Sequence, residues 1–234
     1  MLNDNLDLAH WRDRLQRNGR IQIPDVLQAS AVEHLRRCLT EEVPWTLAMR
    51  DAAGQSRVIA HAQLQRLDAA GQSELLRQAA EDAADRYGFA YESYMMVTAY
   101  LEQRDPDLLL HRILEFLNSP DFLGFARTLT GDSAIGRVSA QATRYRPGMF
   151  LKMHNDLEPA TGRRYAYVFN LGEAWAADWG GLLQFLDEER NVVDTFMPQP
   201  NSLSLFKVPA WHCVSLVAPW ARKQRLAITG WWQD

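Results

Sequence analysis

Residues 135–156 read IGRVSAQATRYRPGMFLKMHND, and their rhythm decides the fold. Val138, Ala140 and Ala142 alternate with Ser139, Gln141 and Thr143, the period of a strand with one face turned to a core. Pro147-Gly148 interrupts the run as a turn would, and alternation resumes at Phe150. The same period continues through 164–171, 181–187, 202–208, 212–217 and 224–232, with Gly, Pro, Asn or Asp in most of the gaps. So many short strands in about 100 residues predict a closed or two-sheet β architecture such as a jelly roll.

Before Gly131 the period is helical. Ile21–Leu27 alternates as a short strand. Ser30 is positioned to cap a helix that turns Val32, Leu35 and Leu39 to one side. An alanine- and leucine-rich stretch over 61–86 predicts a long helix, interrupted at Gly71. Leu110, Leu114 and Leu117 mark another helix, and Phe122, Phe125 and Leu129 one more, ending at Gly131. The expected class is α+β: one domain over 1–234, with 1–133 mainly helical support and 134–234 a catalytic jelly-roll core.

The chain has 234 residues, 47% of them hydrophobic, and a formal net charge of −4. It is long enough for a substantial core. It holds no block of like charge that would serve as an arm for nucleic acid or anionic membrane. No apolar run approaches the length of a spanning helix. The opening MLNDNLDLAHWRDR is acidic and polar where a signal peptide is basic and then apolar. Two cysteines, Cys38 and Cys213, agree with a reducing compartment and are too few for a zinc cluster. A cytoplasmic location is the expectation.

His154-Asn-Asp156 places an imidazole and a carboxylate two residues apart, on one side of a strand. With a second imidazole from a neighbouring strand they would form a two-histidine, one-carboxylate facial triad, which suits non-haem Fe(II). Taken alone, the same three residues also describe a surface aspartate capping a turn beside a solvated histidine. Further on, His212 opens a predicted strand. After a turn at Ala218-Pro219, Arg225 opens the next strand, where Arg225, Ala227, Thr229 and Trp231 share one face and Leu226, Ile228 and Trp232 the other. The first of these faces is poor core and a good wall for a small dicarboxylate, because a guanidinium matches a carboxylate with a planar fork.

Five motifs now stand in order: Tyr145-Arg-Pro-Gly148 followed by His154-Asn-Asp156, then Trp179-Gly-Gly-Leu-Leu-Gln-Phe185, Pro200-Asn-Ser-Leu-Ser-Leu-Phe206, His212, and Arg225-Leu-Ala-Ile-Thr-Gly-Trp231. From about Ser139 onward the chain resembles the prolyl-4-hydroxylase-like branch of the 2-oxoglutarate/Fe(II) oxygenases. It looks closest to the group with the ribosomal-protein prolyl hydroxylases, and is also similar to the animal oxygen-sensing prolyl hydroxylases. The resemblance implies a double-stranded β-helix with supporting helices. It implies Fe(II) held by His154, Asp156 and His212, and 2-oxoglutarate as co-substrate gripped by Arg225, with ascorbate as an optional reductant. Tyr145, Thr229 and Trp231 match positions around the co-substrate. Relatives commonly carry a second tyrosine where this chain has Asn170, whose amide still offers two donors, while Tyr167 is off register.

The implied reaction is a 2-oxoglutarate- and O2-dependent hydroxylation of prolyl residues in a protein or peptide, releasing succinate and CO2. A free amino acid or small metabolite is the alternative substrate. A cupin-like metal-binding or sensor module without turnover, and a metal hydrolase on the same ligands, are the readings from other classes. Arg225 and Tyr145 speak against both, since a metal clip needs no carboxylate clamp. Arg163 and Arg164 follow the H-x-D motif and would either grip a substrate or form a solvated basic turn. Tyr87, Phe89, Tyr91 and Tyr94 would either frame a protein-binding groove or fill a helix–sheet junction. Trp175 and Trp179, in a loop, are the expected surface contacts.

Overall fold

The computed structural model describes residues 1–234. The chain runs α1 (Leu8–Asn18), β1 (Arg20–Ile23), α2 (Ala29–Glu41), β2 (Thr46–Arg50), β3 (Ser56–Ile59), α3 (His61–Leu64), α4 (Ala69–Asp82), β4 (Phe89–Tyr94), α5 (Met96–Leu101), α6 (Leu109–Leu117) and α7 (Pro120–Thr130). There follow β5 (Arg137–Tyr145), β6 (Phe150–His154), β7 (Arg163–Asn170), β8 (Leu183–Leu186), β9 (Val192–Phe196), β10 (Ser202–Lys207), β11 (His212–Val214) and β12 (Arg225–Gln233). The strands form one antiparallel path, β1-β10-β7-β12-β5-β4-β6-β11-β8-β9, with β2 joining β3 to β4. The two ends of the path approach each other, for Arg20 on β1 pairs with Asp194 on β9 at 2.7 Å. The result is a nearly closed double-stranded β-helix, the jelly roll expected from the alternation, with helices against it.

The alternation of β5, β7 and β12 divides their side chains between two environments. Val138, Ala140, Ala142, Tyr165, Tyr167, Phe169, Leu226, Ile228 and Trp232 are buried under the helices, in one cluster with Leu110, Leu117, Phe122 and Leu129. The intervening residues face the barrel interior. α1, α2, α5, α6 and α7 thus cover one side of these strands, while α3 and α4 pack in a second cluster with β2, β6 and β11, each held by apolar burial on the order of 2 kcal/mol per large side chain. Their ends follow ordinary capping chemistry. Ser119 accepts the Phe122 N–H ahead of Pro120, and Gly131 closes α7 in the left-handed conformation at φ 73°.

Several expectations need correction. Ser30 lies inside α2, whose N-cap is Gln28 with no side-chain bond. The break in the 61–86 stretch falls at Asp68, which caps α4 by accepting the Gly71 N–H, so Gly71 is helical. Besides the expected strand at β1, the mainly helical first half adds β2, β3 and β4 to the sheet, and β4 pairs with both β5 and β6. β9 was not expected at all. Both cysteines are free, as expected. No helix is long and apolar enough to cross a membrane.

Gly230 marks the tightest packing between strands. It pairs with Ala140 on one side and Tyr167 on the other. A Cβ there would lie 2.0 Å from the Ser139 carbonyl oxygen, which belongs to the backbone and cannot swing aside. Gly230→Ala is expected to cost about 2 kcal/mol or more through strand displacement, read as a lowered urea midpoint at unchanged slope. An unchanged midpoint would show that β5 and β12 separate freely here.

Candidate active site

β6 and β11 lie side by side with His154 and His212 as direct partners, and their rings stand 4.1 Å apart between centroids. Asp156 does not reach them by strand alternation alone, since β6 ends at His154. Its backbone turns into the left-handed region at φ 61°, which an aspartate tolerates better than most residues. The carboxylate then sits 3.5 Å from Nε2 of each histidine, and ligand atoms of the three residues lie within 4.8 Å of one another.

The hydrogen bonds fix the state of the rings. His154 Nδ1 lies 2.9 Å from the Lys152 carbonyl and His212 Nδ1 2.7 Å from the Ala210 carbonyl. A carbonyl only accepts, so each Nδ1 carries the proton and each neutral ring turns a lone pair on Nε2 toward the carboxylate. Two lone pairs and an anion thus converge with no donor among them. A cation resolves that arrangement, and the chemistry of two imidazoles and one carboxylate fits Fe(II) with positions left open.

Burial is the main reason that His212 titrates low, at about 4, with neighbouring His154 adding to the effect and Asp156 opposing it. In the unfolded chain the group takes up a proton near 6.5. Between those values the unfolded state holds the extra proton, so the metal-free protein loses stability as pH falls from about 6.5 to about 4, by an amount on the order of 3 kcal/mol. Urea midpoints measured across that window should fall for the wild type and stay flatter for His212→Gln. Parallel slopes would remove His212 as the cause.

The triad opens into a cavity of about 620 Å³, a volume ordinary for small-molecule sites. Arg225 lines it and is 4% exposed; its Nε and Nη1 have no partner, and its guanidinium carbon sits 5.2 Å from the Tyr145 ring centroid. Burial lowers the Arg225 pKa from its ordinary value, yet the group stays charged at neutral pH. An unpaired buried guanidinium is costly unless an anion completes it. Tyr145 also lines the cavity, and burial raises its phenol well above the usual range, so it remains a donor. Trp231 faces the cavity with its indole N–H unpartnered. Thr229 lines it too, but its hydroxyl proton is committed to the Tyr167 carbonyl at 2.7 Å, leaving it an acceptor and a wall.

Asn170 is placed differently from the expectation. It shares the inward face of β7 with Ala166 and Val168, but only those two line the cavity. Its amide donates to Ser202 Oγ at 3.1 Å and Ser204 Oγ at 3.3 Å, so its donors already have protein partners. Arg163, on the other hand, is a site residue. Its guanidinium stacks 3.7 Å over the Trp231 ring, and its Nη1 donates to the Asp156 carbonyl at 3.3 Å. Arg164 points elsewhere and pairs with Asp132. Tyr87, Phe89 and Tyr91 form an aromatic wall of the cavity, with Tyr91 stacked on Tyr145 at 5.3 Å, whereas Tyr94 is core. Gln141 and Thr143 line the cavity beside them and went unnoticed in the sequence, although alternation with Tyr145 places them there. Trp175 is buried, its indole donating to the Gly180 carbonyl at 2.8 Å, and is packing rather than surface.

A nearly closed double-stranded β-helix whose cavity is lined by two histidines and a carboxylate placed to hold a metal ion, and by a buried arginine, is the arrangement of a mononuclear metal-site protein. Residues 140–233 match the 2OG-Fe(II) oxygenase superfamily. Over that segment the chain is similar to those oxygenases in sequence, and the β-helix built around it is prolyl hydroxylase-like in fold. It is 32% identical over 139 residues to the prolyl 3,4-dihydroxylase OGFOD1 of Ostreococcus tauri, a match covering 54% of this chain and 26% of that protein. The match thus spans about a quarter of that relative's length. Among solved structures, a Pseudomonas putida prolyl-4-hydroxylase superposes with a TM-score of 0.57 at 19% identity, covering 98% of this chain and 100% of that one. A Trichoplax adhaerens prolyl hydroxylase, solved with a hypoxia inducible factor peptide, gives 0.60 at 17% identity, covering 97% and 89%. At such identities the structures show a shared fold.

Proposed function

We propose that the protein is a 2-oxoglutarate- and O2-dependent hydroxylase acting on prolyl residues of a polypeptide. The observation that carries the proposal is the pairing, in one cavity, of three converging acceptors with a buried arginine that has no anion of its own. In this reading His154 Nε2, His212 Nε2 and the Asp156 carboxylate hold Fe(II), and Arg225 takes the distal carboxylate of 2-oxoglutarate. Bound there, metal and co-substrate supply the oxidising chemistry, consuming O2 and releasing succinate and CO2.

The chain's own residues position and exclude. The Lys152 and Ala210 carbonyls lock the imidazoles in the tautomer that leaves Nε2 free. Tyr145 supplies a hydroxyl donor beside Arg225. The aromatic wall from β4 keeps the interior dry, which strengthens every polar contact within it. Arg163, held flat on Trp231, turns a guanidinium toward the cavity where a backbone carbonyl of the substrate would enter.

A polypeptide is favoured over a small metabolite by the cavity's rim. Tyr87 (38% exposed), Met153 (41%) and Leu157 (58%) all line the cavity while standing open to solvent. Such exposed apolar rims mark surfaces that another chain covers. The cytoplasmic setting suggested by two free thiols is part of the proposal. The test is to supply Fe(II), 2-oxoglutarate and O2 with a proteome-derived peptide mixture, reading gain of one oxygen atom on proline together with stoichiometric succinate. Oxygen gained only by free amino acids or metabolites would transfer the reading to that substrate class. Absence of succinate with every class would leave a metal-binding module.

A further inference from the structure

A second depression of about 320 Å³ lies beside the cavity, between the C-terminal part of α4 and the β6–β11 pair. Leu151, Met153 and Val214 line both spaces, and Met153, 41% exposed, stands at the rim of each. It lies over an irregularity in the pairing. His212 faces His154 and Val214 faces Leu151, which leaves Lys152 and Met153 opposite Cys213 alone. Such a bulge turns side chains out of the regular ladder. Here it opens a space floored by the same two strands that carry both histidines.

The groove offers nothing polar to a ligand. Lys152 crosses it, but its ammonium donates to the carbonyls of Ala83 and Ala84 at the end of α4, leaving the aliphatic stem as wall. Ser215 Oγ is engaged by the Leu182 N–H at 3.0 Å. Cys213 contributes a thiol already directed at Gln184 Oε1, 3.7 Å away, and otherwise presents small apolar surface. Leu216, 52% exposed, and Met153 stand at the edge with their apolar surface uncovered.

We propose that this groove is a docking subsite for an apolar side chain of the substrate polypeptide, close in sequence to the residue oxidised. The inference rests on the polypeptide-hydroxylase reading and deepens it. An occupant is expected to be apolar, because eight of the ten lining residues are hydrophobic and Lys152 and Ser215 are engaged with the backbone. The substrate polypeptide is the assigned occupant, because a chain that crosses the exposed Met153 on its way to the cavity meets the groove as well. An apolar side chain seated on β6 and β11 is held in register with His154 and His212, so it fixes which residue of the substrate arrives at the metal. The groove thereby selects sequence, while the cavity selects chemistry.

The full-length Fe(II) protein with 2-oxoglutarate is tested with short proline-centred peptides carrying leucine or aspartate at each flanking position in turn. The first readout is alkylation of Cys213 by iodoacetamide under anaerobic conditions, followed by mass spectrometry; Cys38, 1% exposed, serves as the internal unreactive thiol. One leucine-flanked set is expected to slow Cys213 alkylation at least about ten-fold, and the aspartate sets to leave it unchanged. The second readout is turnover in air. Leu216→Asp is expected to raise KM for the preferred peptides by about ten- to hundred-fold, with kcat and peptide-independent succinate formation unchanged. Equal alkylation in all sets, or an unchanged KM, overturns the proposal even where proline is oxidised. Leucine-dependent protection without any oxygen gained on proline upholds the groove and overturns the prolyl reading instead.

Discussion

Replacing Asp156 by alanine is expected to reduce activity to background, and the loss should separate into two parts that a second substitution resolves. The carboxylate is the only anion among the converging groups, facing the lone pairs of His154 and His212 at 3.5 Å each. Without it two neutral imidazoles remain, too few ligands and no charge to hold a divalent ion in place. Alanine also has to occupy φ 61°, a conformation costing roughly 1–2 kcal/mol for a residue with a Cβ and no local polar compensation. Asparagine tolerates that conformation and its amide donates to an Nε2 that previously met another acceptor. The metal-free Asp156→Asn protein should therefore match or exceed the wild type in melting temperature, while Asp156→Ala falls below it. Both should lose Fe(II) binding and succinate formation. Cys213→Ala is the control on the neighbouring strand: its thiol is turned toward Gln184, 3.7 Å away, so metal affinity should be unchanged. Retained Fe(II) affinity in Asp156→Asn would remove Asp156 from the ligand set.

Particular residues show why part of this molecule was legible in its sequence and part was not. β5 and β12 are nine residues long, and each has one face under the helices and the other toward the cavity, so alternation survives and places Arg225 and Tyr145 without a structure. β4 carries no such signal. Glu92, Ser93 and Tyr94 are buried in succession, because the strand is covered on both faces and Glu92 is clamped between Arg144 and Arg146. A strand buried on both sides loses its period, so the sequence names Tyr87, Phe89, Tyr91 and Tyr94 without separating the first three, at the cavity, from Tyr94, in the core. β9 fails for the opposite reason. It ends the sheet path, and Val192 and Val193 are both about half exposed, so neither face is selected. Asn170 was misplaced for a third reason. Alternation gives the face on which a residue lies but not its depth, and its serine partners come from β10, remote in sequence. The same limit applies to Arg163, whose importance depends on Trp231 lying beneath it.

Arg225→Ala is expected to weaken 2-oxoglutarate binding by about 2–5 kcal/mol, roughly thirty- to several thousand-fold, while leaving Fe(II) affinity intact. The guanidinium is among the least exposed charges in the chain, and two of its nitrogens lack any partner. Its nearest aromatic neighbour, Tyr145, offers a ring face and stays un-ionised at neutral pH, so no protein anion neutralises the charge. The folded protein thus carries the desolvation cost before the co-substrate arrives, and a carboxylate entering the cavity meets a donor fork that is already dehydrated and held in position. Arg225→Lys should recover only part of the affinity, because an ammonium cannot present two parallel N–H groups. Both variants leave His154, Asp156 and His212 untouched, so a metal titration should superimpose on that of the wild type. The effect on stability has the opposite sign. Removing an unpaired buried charge relieves its burial cost, so the co-substrate-free Arg225→Ala protein should not be less stable than the wild type beyond the packing lost against Tyr145. Calorimetric titration of 2-oxoglutarate into the three Fe(II) proteins, with melting temperatures measured in its absence, checks both halves. Equal 2-oxoglutarate affinity in wild type and Arg225→Ala would move the clamp to another residue. Reduced affinity accompanied by lost Fe(II) binding would show that the substitution had disturbed the barrel rather than a carboxylate contact.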